Sequence, residues 1–249
     1  MKSLVFSFLL CCGVAAAAPK PIVLLLTNHD HLEGTSKGTG FYLSEAAHPY
    51  AVFKEAGYEV VFASPKGGYA PVDQKSLDME DKVNSKFWVD HGFVKGGKTG
   101  IKDTKKLSDL KPGDYSGIYA AGGHGTCWDF PNNKEVAAFI SAIYAQGGVV
   151  GAVCHGPMAL VGVKGPDGKP LVAGKKVAVF TNAEEKAVKL EKVVPFLLQS
   201  ELEKAGAKVV VADNWAENAV RDGRLVTGQN PASATKSAKL FVEALKEAK

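Results

Sequence analysis

The chain has 249 residues, 46% of them hydrophobic and 22% charged, with a formal charge of +4. That length and balance suit a globular unit with a substantial core and exclude a disordered or low-complexity chain. Its arginines are Arg221 and Arg224, and its lysines are scattered among Glu and Asp, so a clustered cationic face is missing and no nucleic-acid partner is expected.

The chain opens with Lys2, an apolar stretch from Leu4 to Val14, and Ala15-Ala16-Ala17-Ala18 before Pro19. This is the order of a secretory signal peptide, and the apolar stretch is short for a transmembrane helix. Residues 1–18 therefore read as a signal peptide and residues 19–249 as one domain. The mature chain is expected to be secreted, or released into a periplasm or other secretory compartment, with no membrane contact after signal removal. Cys11 and Cys12 would leave with the signal. Cys127 and Cys154 would remain, too few for a disulfide framework.

Residues 21–27 are a continuous apolar run, expected for a strand covered on both faces of a parallel sheet. A polar loop over 28–40 follows. The pattern predicts a helix over 43–56, stopped by Gly57, and a strand over 58–63. This β-loop-α-β order opens a parallel sheet. Residues 69–100 read as a loop with one or two short helices, a candidate lid. A strand over 117–121 ends in Gly122-Gly123-His124-Gly125 and precedes an amphipathic helix over 133–144. The apolar run 149–153 then enters Cys154-His155-Gly156-Pro157. Residues 165–176 are turn-rich. Strands are predicted over 177–180, 208–212 and 224–227, and helices over 194–205 and 234–248. No linker or repeat divides the chain. The predicted class is α/β, a three-layer sandwich around a mostly parallel central sheet.

Loops at the carboxyl ends of such strands carry function. A sharp strand-to-helix turn pushes its corner residue out of the sheet edge, the geometry hydrolases use for a nucleophile. Cys154 is therefore a candidate nucleophile, with a buried structural thiol as the alternative. A helix N-terminus and a nearby His would favour its thiolate. His155 is a candidate general base oriented by a carboxylate. Backbone N–H groups of Gly122 and Gly123, with the one after Cys154, are candidates for holding an oxyanion. His124 reads as a loop anchor that lines the pocket. His29-Asp30-His31 offers two imidazoles without an evident third ligand, so no metal is expected. His48, before Pro49, reads as structural.

The elbow Ala152-Val153-Cys154-His155-Gly156-Pro157 resembles that of the DJ-1/PfpI superfamily, within the class I glutamine amidotransferase-like, flavodoxin-like fold, and is most similar to its Hsp31-like branch. The stretches Gly40-Phe41-Tyr42-Leu43-Ser44-Glu45, Ala63-Ser64-Pro65-Lys66-Gly67-Gly68, Gly122-Gly123-His124-Gly125-Thr126-Cys127-Trp128-Asp129 and Thr227-Gly228-Gln229-Asn230-Pro231 extend the likeness over nearly the whole mature chain. The resemblance implies that Cys154 is the nucleophile, His155 the triad histidine and Glu185 the triad acid, with Glu184 the fallback. It implies that Glu45 hydrogen-bonds the catalytic thiol. It implies a glutathione-independent glyoxalase, a lyase of the D-lactate dehydratase class, that turns methylglyoxal into lactate without a cofactor and works as a homodimer. A cysteine peptidase, amidase or deglycase, and a stress chaperone with a redox-sensing Cys, are the alternatives. The chain departs from the family pattern in its signal peptide and at Cys127, where the family carries Met or a similar apolar residue. Two expectations follow for Cys127: a reversible disulfide with Cys154, or a packed thiol.

Overall fold

The computed structural model describes residues 18–96 and 98–248. The signal-peptide reading lies outside the described residues except for Ala18. Among the described residues no helix is long and apolar enough to cross a membrane.

Strand β1 (Ile22–Leu25) is wholly buried. It pairs in parallel with β2 (Val60–Ser64) on one side and β6 (Gly117–Ala120) on the other. Beyond β6 lie β7 (Val149–Val153) and β11 (Leu225–Gly228), both parallel, then β10 (Ala219–Asp222), antiparallel to β11. Beyond β2 lies β5 (Lys98–Lys106), parallel to it, which also pairs in antiparallel with β3 (Gly68–Pro71) and β4 (Gly92–Lys95). From β1 the chain builds one half of the sheet through β2, then returns to β6 to build the other. Strand order thus reverses between β1 and β6, and a crevice opens there at the carboxyl ends.

Helices α1 (Leu43–Glu55) and α7 (Ala234–Glu247) pack together on one face. Phe241 of α7 lies 5.2 Å from Phe53 of α1 and 5.6 Å from Tyr119 of β6, ring centroid to centroid. Each such fully buried ring contributes roughly 2–3 kcal/mol of transfer free energy. The Tyr119 hydroxyl is satisfied by Ser237 at 2.6 Å. Helix α4 (Lys134–Ala145) covers β6 and β7 with Val136, Phe139, Ile140 and Ile143. Asn133 starts it by accepting the N–H groups of Glu135 and Val136. The α/β sandwich expected from the sequence is the one found. His48 is structural, as expected: its Nδ1 meets Thr235 of α7 and its Nε2 meets Asp81, both at 2.9 Å. Asp81 caps α2 (Lys82–His91).

Several segments differ from the sequence reading. Residues 69–100 hold the expected short helix, α2, but β4 and parts of β3 and β5 stand where a loop was expected. Only Gly100, Ile101 and Thr104 of β5 are buried, so this edge ribbon shows none of the apolar alternation that marks a strand. The expected strand over 208–212 is reduced to β9 (Lys208–Val209). The expected strand over 177–180 shrinks to β8 (Lys176–Val177), which pairs with β9 in a separate ribbon. Past it, the N–H of Ala178 donates to the Thr227 hydroxyl and that of Phe180 to the Cys154 carbonyl, so the segment is tied to the elbow and not to a ladder. Helix α6 (Leu198–Lys204) starts later than expected, because the N–H groups of Val193 and Val194 fold back on the Leu190 carbonyl in a turn.

Candidate active site

Cys154 ends β7 with φ +60°. A side chain in this left-handed region costs roughly 1–2 kcal/mol, and the strain is held by the elbow: the Cys154 N–H donates to Gly228 of β11 and its carbonyl accepts from Phe180. The thiol is turned off the sheet into a cavity of about 260 Å³, walled by Leu32, Tyr42, Phe180, Leu190 and Trp215 with His124 at its side.

The loop after β6 closes over the sulfur. Gly122 has no room for a side chain, since a Cβ would come 2.5 Å from the Glu45 carboxyl and 2.7 Å from the His155 nitrogen. Gly123 has φ +101°, open to glycine alone at little cost. The N–H groups of Gly123 and His155 face the sulfur and favour its charged form. Gly122 instead turns its N–H toward Glu45. Gly123 and the residue after Cys154, both expected near the oxyanion, thus supply N–H groups that face the sulfur, and Gly122 is packed against the Glu45 carboxyl.

His155 is fully buried. Its Nε2 lies 2.7 Å from one oxygen of Glu185, and its Nδ1 lies 3.4 Å from the Cys154 sulfur. A carboxylate accepts, so Nε2 carries the proton and the Nδ1 lone pair faces the thiol. Burial, then the nearby His124, lowers the His155 pKa and keeps the ring neutral. Glu185 sits on α5 (Asn182–Ala187). Burial alone would raise it, but the interaction with His155 and hydrogen bonds from both imidazoles hold it well below the usual carboxylate range. The second imidazole is His124, whose Nε2 meets the other Glu185 oxygen at 2.9 Å. His124 therefore shares Glu185 with His155, a contact the sequence reading missed. Nothing local in the sequence announces a contact between residues 61 apart.

Glu45, in the first turn of α1, is also fully buried and faces the Cys154 thiol. Burial raises its pKa to about 8, so it is a carboxylic acid at neutral pH. Burial and then Glu45 push the Cys154 thiol up as well, against the sequence expectation of a lowered value. Because Glu45 is neutral, its repulsion of the thiolate is absent at pH 7; neither of its buried oxygens has a hydrogen-bond partner, so its O–H is free to donate to the sulfur or to a substrate.

A model of the DJ-1/PfpI family matches residues 37–244. The chain belongs to the DJ-1/PfpI family. It is similar to "Glyoxalase 3" of Candida albicans, 36% identical over 90% of this chain and 97% of that protein. It is similar to a glutathione-independent glyoxalase of Saccharomyces cerevisiae, 35% identical over 92% of this chain and 99% of that one. The crystal structure of glyoxalase III from Candida albicans superposes with a TM-score of 0.78 over 90% of this chain and 96% of that one, at 35% identity. That of the Francisella tularensis Rapid Encystment Protein superposes at 0.83 over 91% and 99%, at 38% identity.

In this DJ-1/PfpI chain the two adjacent acids of α5 do different work. Glu184, the fallback for the triad, points away from His155. It accepts from the Thr181 N–H and hydroxyl, the Trp215 N–H, and the side chains of Gln229 and Asn230. It therefore pins the Trp215 wall of the cavity to the turn that follows β11. Glu184→Gln turns an acceptor into a donor among buried donors and is expected to cost about 2 kcal/mol or more of stability. Glu185→Gln is expected to reduce kcat with a smaller change in Tm. Thermal unfolding and kinetics on both variants check this, and a Glu184→Gln protein with wild-type Tm would refute it.

Cys127, on α3 (Thr126–Asp129), is buried and does not line the cavity. It and Cys154 are both free thiols, so the structure shows the packed thiol and not the disulfide. His29 and His31 do have a third neighbour that the sequence reading missed, Glu33.

Proposed function

We propose that this protein is a glutathione-independent glyoxalase of the lyase, D-lactate dehydratase class, converting methylglyoxal and related 2-oxoaldehydes to 2-hydroxy acids such as lactate. The observation that carries the reading is the placement of the Cys154 thiol between an unprotonated imidazole nitrogen and a protonated carboxyl. The names of the relatives point the same way.

The chemistry runs as follows. The Cys154 sulfur adds to the aldehyde carbon while its proton passes to His155 Nδ1. The carbonyl electron pair moves onto oxygen, beside the N–H groups of Gly123 and His155. The imidazolium returns the proton to that oxygen, completing a hemithioacetal. His155 then removes the C1 proton, and Glu45 donates to the neighbouring ketone oxygen, giving an enediol. The imidazolium returns its proton to C2 while the C1 hydroxyl gives its proton to the Glu45 carboxylate, leaving a thioester of the 2-hydroxy acid with both groups restored; water adds to the thioester carbonyl and the thiol leaves protonated. C1 is oxidised and C2 reduced within one molecule, so the sum is methylglyoxal plus water to lactate, and no external redox cofactor is required. The cavity has room for a three-carbon dicarbonyl beside the sulfur.

The purified protein with methylglyoxal and no glutathione is expected to form lactate stoichiometrically with dicarbonyl consumed. Dicarbonyl loss without lactate would point to adduct formation and sink the proposal. The same proposal includes export through the signal peptide and a homodimeric state, which N-terminal sequencing of the secreted chain and sedimentation check.

A further inference from the structure

We infer that His29, His31 and Glu33 form a binding site for a first-row divalent cation, with zinc the best match, on the loop that follows β1. The Nε2 atoms of both imidazoles converge on one oxygen of Glu33, at 3.6 Å from His29 and 3.2 Å from His31. Ligand bonds of about 2.0–2.1 Å at tetrahedral angles separate two donor atoms by roughly 3.4 Å. The two measured separations straddle that value. All three donor atoms lie within 4.8 Å of one another.

The surroundings are those of a ligand set. His29 Nε2 is buried and has no hydrogen-bond partner, a state that costs free energy unless something accepts its lone pair or proton. The His29 ring is held between His31, at 4.5 Å, and Trp128, at 5.0 Å. His31 Nδ1 meets Asp30 Oδ1 at 2.9 Å. A carboxylate on that nitrogen fixes the tautomer with a free Nε2 lone pair, the usual outer contact of a metal-bound histidine. The backbone is preformed: the Leu32 N–H donates to the Lys37 carbonyl, and His31 bridges Gly38. Two imidazoles and a carboxylate suit zinc and leave a fourth position for water or a further ligand.

One other trio of donors, His124, His155 and Glu185, has similar spacing. There both Nε2 atoms already hold hydrogen bonds to Glu185 at 2.9 and 2.7 Å, so no lone pair is left unmatched. The site at His29 does not depend on the glyoxalase reading. It does lie next to the cavity, because Leu32, between two of its ligands, forms part of the cavity wall. A cation would brace that wall.

The untagged full chain, stripped with EDTA, is expected to bind one Zn2+ per chain by calorimetry and to gain several degrees of Tm. Co2+ in its place is expected to give tetrahedral visible absorption and to quench Trp128 fluorescence. The double variant His31→Ala, Glu33→Gln is expected to lose roughly 100-fold or more in affinity. Both side chains are about half exposed, so the metal-free variant should unfold at the temperature of the metal-free parent. No stoichiometric binding by the parent overturns the inference. So does parent-like affinity in the double variant, or loss of the site in His124→Ala instead.

Discussion

Cys154→Ala is expected to lower methylglyoxal turnover by roughly 10³-fold or more, about 4 kcal/mol of transition-state stabilisation. The thiol makes the first bond, and neither His155 nor Glu45 can take its place, since one is spent as the base and the other is neutral. Folding should survive. Ala keeps the left-handed backbone at residue 154 and leaves a small void worth ~1–2 kcal/mol. Cys154→Gly separates the two effects: equally inactive, but relieved of about 1 kcal/mol of backbone strain. Lactate formation and thermal unfolding on the three proteins check this. Activity within tenfold of the parent in Cys154→Ala would show that the thiol is not the nucleophile.

Glu45→Gln is expected to change both the rate and its pH dependence. In the folded protein Glu45 is raised from 4.5 to about 8 by burial. Folding therefore favours its protonated form. The stability this proton supports is fully present below about pH 4.5 and is lost as pH rises through about 8, where an ionised carboxylate must be buried. The full span corresponds to roughly 4–5 kcal/mol. Gln cannot ionise, so the Tm of Glu45→Gln minus that of the parent should grow from pH 5 to about pH 8 and then level off. A constant difference would mean that Glu45 is not held protonated. The variant also lacks an acid for the enediol step, and its turnover should fall by about 10²-fold or more. Parent activity should decline above about pH 8 as Glu45 ionises and repels the thiolate.

Parts of the site were open to reading from local pattern. The run from Val149 to Val153 is continuous and apolar because β7 is covered on both faces, and the abrupt Cys-His-Gly-Pro that follows marks a corner. The assignment of Glu185 over Glu184 rested on resemblance. In the structure Thr181 caps α5 and takes Glu184 into its capping box, which leaves the next residue, Glu185, to meet His155. The metal trio was within reach: His29, His31 and Glu33 are neighbours in sequence, and only the loop turn that brings the third donor round was unread. The ribbon of β3, β4 and β5 was not within reach, because β5 buries only Gly100, Ile101 and Thr104, a spacing without period-2 alternation, and is otherwise rich in Lys.

Apolar runs, turn residues and the elbow by themselves determined that this is an α/β sheet protein with a thiol at a sharp corner at a strand end. They could do so because a buried strand and a sharp turn each leave a local mark in composition. Tertiary structure alone decided the protonation states. Glu45 is an acid, His155 a neutral base and Glu185 a firm carboxylate because α1, the loop after β6 and α5 meet around one sulfur and exclude water there. A pKa is set by what surrounds a group in space, and the residues that surround Cys154 come from every part of the chain.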